Sequence, residues 1–316
     1  MSTSEFALDL ACHLNVMCEG TDSDQMDKAL GELALLGYRR VVLPPLNVDA
    51  GSARRLRELF AAHHLVPMTT AIQTPDADIS SSDPRTRRAG LDLLRRTIDV
   101  TVELGGDQMN GVPYGVIGHA RGPLPRGRRE TIAHLLADAA EYAHARGVAM
   151  AFEVLNRYET SIVNTAEDAL DLADWSGSSH LLIHLDSFHM AVEERDVRDA
   201  IRLALPRLGF LELGQSGRGR LDRGALDISS IVRSAIDDGY EGRWGVEALS
   251  RRQLSRATAD ALAVWRSPFE DGRELADVGM RVAHRGWAES TRGRRASRLR
   301  NVARSTGTNV DNEGGR

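Results

Sequence analysis

Ala151-Phe152-Glu153-Val154-Leu155-Asn156-Arg157 is an apolar run broken by one carboxylate. Three later stretches have the same form: Leu182-Ile183-His184-Leu185-Asp186, Leu208-Gly209-Phe210-Leu211-Glu212 and Trp244-Gly245-Val246-Glu247. Apolar runs this short, bounded by polar residues, read as buried strands. A carboxylate inside or at the end of such a strand is costly unless a cation or hydrogen bonds compensate it. Four in successive units point to a convergent carboxylate cage, whose natural guest is a divalent metal. A closed barrel brings the ends of successive parallel strands to one mouth, where active sites sit. An open doubly wound sheet offers no reason for acids at the ends of its last four strands.

Outward from these runs the chain alternates. Strand-like segments at 6–11, 40–43, 66–72, 107–111, 148–154, 180–186, 208–213 and 243–247 are each followed by a helix-like segment. The helices are predicted at 24–36, 53–64, 84–104, 128–146, 165–175, 193–205, 228–238 and 254–265. Pro84 opens one of them, Thr165 caps another, and Gly37 and Gly147 stop two more. Eight strand–helix units predict an α/β fold, a single (β/α)8 TIM barrel. An extra helix is predicted at 271–289, which closes one domain at 1–289. The remainder, 290–316, is rich in Arg, Ser, Gly and Asn, and predicts a disordered basic tail.

Composition narrows the function. A chain of 316 residues with 42% hydrophobic content can bury one large core. A net charge of -5 argues against a nucleic-acid partner for the main body. Lys28 is the only lysine and lies in the first predicted helix, which leaves no credible residue for Schiff-base chemistry. Cys12 and Cys18 cannot build a disulfide framework. No run approaches the roughly 18 apolar residues of a membrane span. The segment from Met1 to Leu10 carries Glu5 and Asp9 and no basic region, unlike a signal peptide. The expected setting is cytoplasmic.

Two motifs carry a resemblance. Glu153-Val154-Leu155-Asn156-Arg157-Tyr158-Glu159 followed by Asn164, and Leu185-Asp186-Ser187-Phe188-His189-Met190 followed by Glu193-Glu194, resemble the signatures of the tagatose/allulose ketose 3-epimerases. These belong to the xylose-isomerase-like TIM barrels. Gly214-Gln215-Ser216-Gly217-Arg218, and Gly239-Tyr240-Glu241-Gly242 leading to Glu247, match two further motifs in part. The resemblance implies a metal-dependent sugar epimerase or isomerase acting next to a ketose carbonyl through a cis-enediolate. It implies Glu153 and Glu247 as the acid/base pair and as metal ligands, with Asp186 a pure ligand. Glu159, His189 and Arg218 would bind substrate. The implied partner is a small sugar or sugar derivative, and the implied assembly a dimer or tetramer.

One departure alters the chemistry. The resembled family carries histidine as its third ligand, in H-x-G-E-x-x-R, where this chain has Glu212, with Gln215 for the following glutamate. With Glu212 as fourth ligand the site is more negative and harder, favouring Mn²⁺ or Mg²⁺, with Co²⁺ as a further candidate. Rival readings are an aldose–ketose isomerase, a lyase on an oxidised sugar or natural-product intermediate, and a noncatalytic barrel. A DNA-repair endonuclease would need several histidines at the strand ends. His13, His119 and His184 are read as packing or surface residues, and Asn156 and Asn164 as structural residues that bond loop backbone.

Overall fold

The structure, a computed structural model, describes residues 8–21, 23–46, 49–118 and 122–307. Eight parallel strands close into a barrel in chain order. They are β1 (Leu10–His13), β2 (Arg40–Val42), β3 (Val66–Ala71), β4 (Gln108–Gly111), β5 (Ala149–Glu153), β6 (Leu181–Asp186), β7 (Leu208–Gly214) and β8 (Arg243–Glu247). The ring is sealed where Ala11 pairs with Gly245 and Cys12 with Val246.

Alternation along each strand sorts the side chains. Ala11, Val42, Met68 and Phe210 form a separate buried cluster, while Leu10, Cys12, Val41 and Leu211 join the main core between strands and helices. The helices begin where the local chemistry allows. Asp49, Asp83, Thr165, Asp196, Asp227 and Asp271 each accept a hydrogen bond from a first-turn backbone N–H. Each such cap contributes about 1 kcal/mol. Gly177 ends helix Ala166–Ser176 in the left-handed conformation, φ 70°, where a Cβ is penalised.

At the amino-terminal face, ions close the barrel. Arg40, at the start of β2, donates to Asp9 (2.8 Å) and pairs with Asp107. Arg243, at the start of β8, lies 2.7 Å from Asp107 and 3.7 Å from Asp9. Two arginines and two aspartates thus link the starts of strands that are remote in sequence.

The expectations need four adjustments. β1 runs over Leu10–His13, two residues beyond the expected end at 11; residues 6 and 7 lie outside the described residues. The helix expected at 193–205 is two, Ser187–Glu193 and Val197–Ala204, because Asp186 and Asp196 each cap one. The helix expected at 254–265 shortens to Arg256–Ala261, and Ala263 behind it has φ 53°. The basic tail, expected disordered from 290, is helical over Thr291–Gly307. The Ser290 hydroxyl accepts from Gly293 N–H, Thr291 N–H donates to Asp237, and Arg292 pairs with Glu241. Polar contacts to the barrel thereby replace the apolar burial that this composition lacks. Residues 308–316 lie outside the described residues. The helix expected at 271–289 is present as Gly272–Glu289. Among the described residues no helix is long and apolar enough to cross a membrane.

Candidate metal and active site

All four strand-end acids lie at the carboxyl-terminal mouth. Glu153 ends β5, Asp186 ends β6, Glu212 lies in β7 opposite Asp186, and Glu247 ends β8 opposite Gly214. Glycines make the room. A Cβ on Gly245 would stand 2.6 Å from Glu212 Oε1, and one on Gly214 would stand 2.6 Å from Asp186 Oδ1.

Asp186 is fully buried and fixed at both oxygens. Oδ1 accepts from Phe188 N–H at 2.9 Å, capping the short helix that carries His189. Oδ2 lies 3.4 Å from Arg218 Nη1. Burial pushes this carboxyl up to about 7, against the pull of His189 and Arg218.

Arg218 bridges the acids. The same Nη1 pairs with Glu247, and the guanidinium stacks 3.7 Å from the Phe188 ring centre. It reaches inward from a strained position, φ 55°. Gln215 holds the loop that positions it. The Gln215 amide donates to the carbonyls of Leu221 and Leu226, and its oxygen accepts from the N–H groups of Ser216 and Leu226. A glutamate would lack the donor. Gln215 at this motif position is therefore a structural choice of the loop.

Glu212 is flanked by histidines. His13 Nε2 stands 2.6 Å from Oε1 and His184 Nε2 stands 3.2 Å from Oε2. His13 Nδ1 also faces Glu247 Oε1 at 3.7 Å. The expectation that His13 and His184 are only packing or surface residues is therefore corrected: both stand at the cage. His119 lies outside the described residues. The signal was present, since His184 precedes Asp186 by two and so shares its side of the strand. His13 stands at the mouth as the last residue of β1. The cage is not nearly all carboxylate, as the acid pattern alone implies.

His189 faces Glu153 Oε1 at 3.5 Å and Asp186 Oδ2 at 3.8 Å through Nε2. Its Nδ1 accepts from Asn156 backbone N–H at 3.1 Å, which puts the proton on Nε2. Asn156, expected to be only structural, also reaches the site. Its side chain touches His189 Nδ1 (2.8 Å) and donates to Glu159 (2.9 Å), so it ties two candidate substrate residues together. Asn164 bonds the carbonyls of Leu155 and Thr160, a purely local role.

The two glutamates differ electrostatically. Burial pushes the Glu153 carboxyl up, but His184 and His189 outweigh it and hold it below the ordinary carboxylate range. Burial and Glu212 push the Glu247 carboxyl above that range despite Arg218. Neighbouring carboxyls whose affinities for protons diverge are suited to act as base and acid.

A cavity of about 550 Å³ adjoins the cage at Arg218, lined in part by Asn156, Glu159, Phe188, Arg218, Leu262 and Trp265. The site has the donor set of a cation centre. Both Glu212 oxygens, His13 Nε2 and both His184 nitrogens are buried without a hydrogen-bond partner among the described residues. His13, Glu212 and Glu247 each offer a ligand atom within one ion's reach, as do Glu153, His184 and Glu212, and Glu153, Asp186 and His189. The residues present therefore fit a divalent ion.

The chain matches the family described as xylose isomerase-like TIM barrel over residues 30–267. It is 31% identical over 254 residues to an L-ribulose 3-epimerase of Methylomonas sp. (strain DH-1), covering 79% of this chain and 87% of that protein. It is 30% identical to an L-ribulose 3-epimerase of Mesorhizobium japonicum, covering 84% and 90%. A solved D-allulose 3-epimerase from Methylomonas sp. superposes with a TM-score of 0.83 at 28% identity, covering 89% of this chain and 98% of that one.

Proposed function

The chain belongs to the xylose isomerase-like TIM barrel family, among its ketose 3-epimerases, and we propose that it is a metal-dependent epimerase of a free ketose or a ketose derivative. Its class is that of an isomerase acting on carbohydrate. The observation that carries the mechanism is that two carboxyls, Glu153 and Glu247, end β5 and β8 at one barrel mouth.

Glu153, Asp186 and Glu247, with Glu212 as fourth, are the residues that would hold the ion. A bound divalent cation supplies charge stabilisation to a carbonyl oxygen and its neighbouring hydroxyl. The carboxylate-rich set suits Mn²⁺ or Mg²⁺. Glu153, held ionised by its histidines, removes the proton on the carbon beside the carbonyl, giving a cis-enediolate. Glu247, whose carboxyl burial and Glu212 push above the ordinary carboxylate range, returns a proton from the opposite face. His189 and Arg218 orient the sugar oxygens, and Asn156 keeps His189 and Glu159 in register. A cytoplasmic enzyme that works as a dimer or tetramer is part of the same reading.

The test is solvent exchange. Wild-type protein with Mn²⁺ and a ketose panel in D₂O should place deuterium beside the carbonyl, read by NMR. Glu153→Gln and Glu247→Gln should each lower this about a thousandfold or more, since each change removes a ligand and a proton-transfer group. Near-normal exchange in Glu247→Gln would leave a one-base isomerase or lyase.

A further inference from the structure

The orphaned nitrogens and oxygens around Glu212 carry more than the four-acid reading. A protonated imidazole beside a carboxylate ordinarily settles into a directed N–H···O bond. Here His13 Nε2 and Glu212 Oε1 stand 2.6 Å apart, yet both are without a hydrogen-bond partner. Contact without hydrogen-bond direction is what two donors aimed at a common cation show. Glu212 is 1% exposed, so its charge is sealed from water and needs a cation within the protein.

We propose that His13 is a nitrogen ligand of the divalent centre, together with Glu212 and Glu247, so that the ion has a mixed imidazole–carboxylate shell. The inference rests on the metal-dependent reading above and names a ligand beyond its four acids. The choice between the two histidines follows from position. His184 is 2% exposed and packs edge-on against Phe210 at 4.8 Å, below the mouth. His13 is 15% exposed and reaches both Glu212 and Glu247. An ion that must also receive substrate oxygens has to stand on the open side, where His13 is. His184 stands 3.2 Å from the second oxygen of Glu212, on the inner side of the cage, and acts there as a positioning residue. Strand β1 thereby contributes to a centre that the acid pattern confines to β5 through β8. Imidazole also shifts the preference of the centre from Mg²⁺ toward Mn²⁺ and Co²⁺.

Pulsed EPR on protein loaded with one equivalent of Mn²⁺ tests this directly, because an imidazole nitrogen bound to Mn²⁺ modulates the electron-spin echo. The wild-type protein should show the ¹⁴N modulation. His13→Gln should lose it and bind Mn²⁺ more than about tenfold more weakly, the range that even outer-shell changes reach. His184→Leu should keep it. Thermal melting and circular dichroism establish that both variants are folded. Modulation that survives in His13→Gln, or that disappears only in His184→Leu, overturns the proposal. Saturable Mn²⁺ binding with deuterium exchange but no nitrogen signal in the wild type overturns it while leaving the epimerase reading intact. Absence of saturable Mn²⁺ binding removes both.

Discussion

Gly245 faces Glu212 across the β7–β8 register, and a β-carbon there would stand 2.6 Å from the carboxylate and 2.6 Å from the Phe210 ring. The absent side chain on β8 is what lets an acid of β7 lie inside the barrel. Gly245→Ala should therefore push Glu212 off its histidines. The expected cost is about 1–3 kcal/mol of stability from overpacking, together with weaker Mn²⁺ binding. Chemical denaturation and metal titration check both, and unchanged values would mean that Glu212 has room to move.

Arg218 places a cation between Asp186 and Glu247, where it competes with any metal for the same oxygens. Arg218→Met keeps much of the stem that packs on Phe188 and removes the charge. Mn²⁺ affinity measured by calorimetry without sugar should rise. KM should rise as well, because the substrate loses an orienting group. If metal affinity falls instead, the guanidinium supports the cage rather than competing with it.

His13 provides a pH signature. Burial pulls its affinity for protons down, but Glu212 outweighs burial and pushes it up to about 9 from an ordinary 6.5. A raised value in the folded chain contributes stability that is fully present below pH 6.5 and is lost as pH rises through about 9. In the presence of EDTA, the melting temperature should decline from pH 6.5 to 9.5. His13→Gln should flatten that decline. An equally steep decline in the variant would assign it to other groups.

Arg40 lies at the opposite end of the barrel from the acids and pairs with Asp9 and Asp107. Arg40→Met should destabilise by about 2 kcal/mol, less than the 3–5 kcal/mol of a fully buried pair because both aspartates still reach water. kcat per folded molecule should not change. A fall in kcat with stability intact would mean that the two faces communicate.

The barrel is legible in the chain because strands and helices have different periods and because glycine, proline and capping residues punctuate them. Pro84 and Thr165 open their helices as expected, and Arg243–Glu247 is a strand with the expected bounds. The acids are legible because burying charge at a strand end is unusual. The histidines are legible only in part: spacing puts His184 on the side of Asp186, but a buried imidazole is common and its meaning depends on what lies across the barrel. His13 meets Glu212 only after the chain has gone once round, a distance no local pattern encodes. Gln215 reads as a lost acid until the Leu221 and Leu226 carbonyls it serves are located. The helix at Thr291–Gly307 is hidden for a similar reason: its partners Asp237 and Glu241 are remote in sequence.

The seam between β1 and β8 has a consequence for biosynthesis. Ala11 and Cys12 complete their pairing only with Gly245 and Val246. At elongation rates of about 5–20 residues per second, the first strand waits on the order of 10–50 s for its last neighbour to leave the ribosome. Throughout that interval Leu10 and Cys12, which the finished barrel buries completely, belong to a strand with an open edge. The edge of β1 that β8 covers stays without a partner strand until the last strand of the barrel is made.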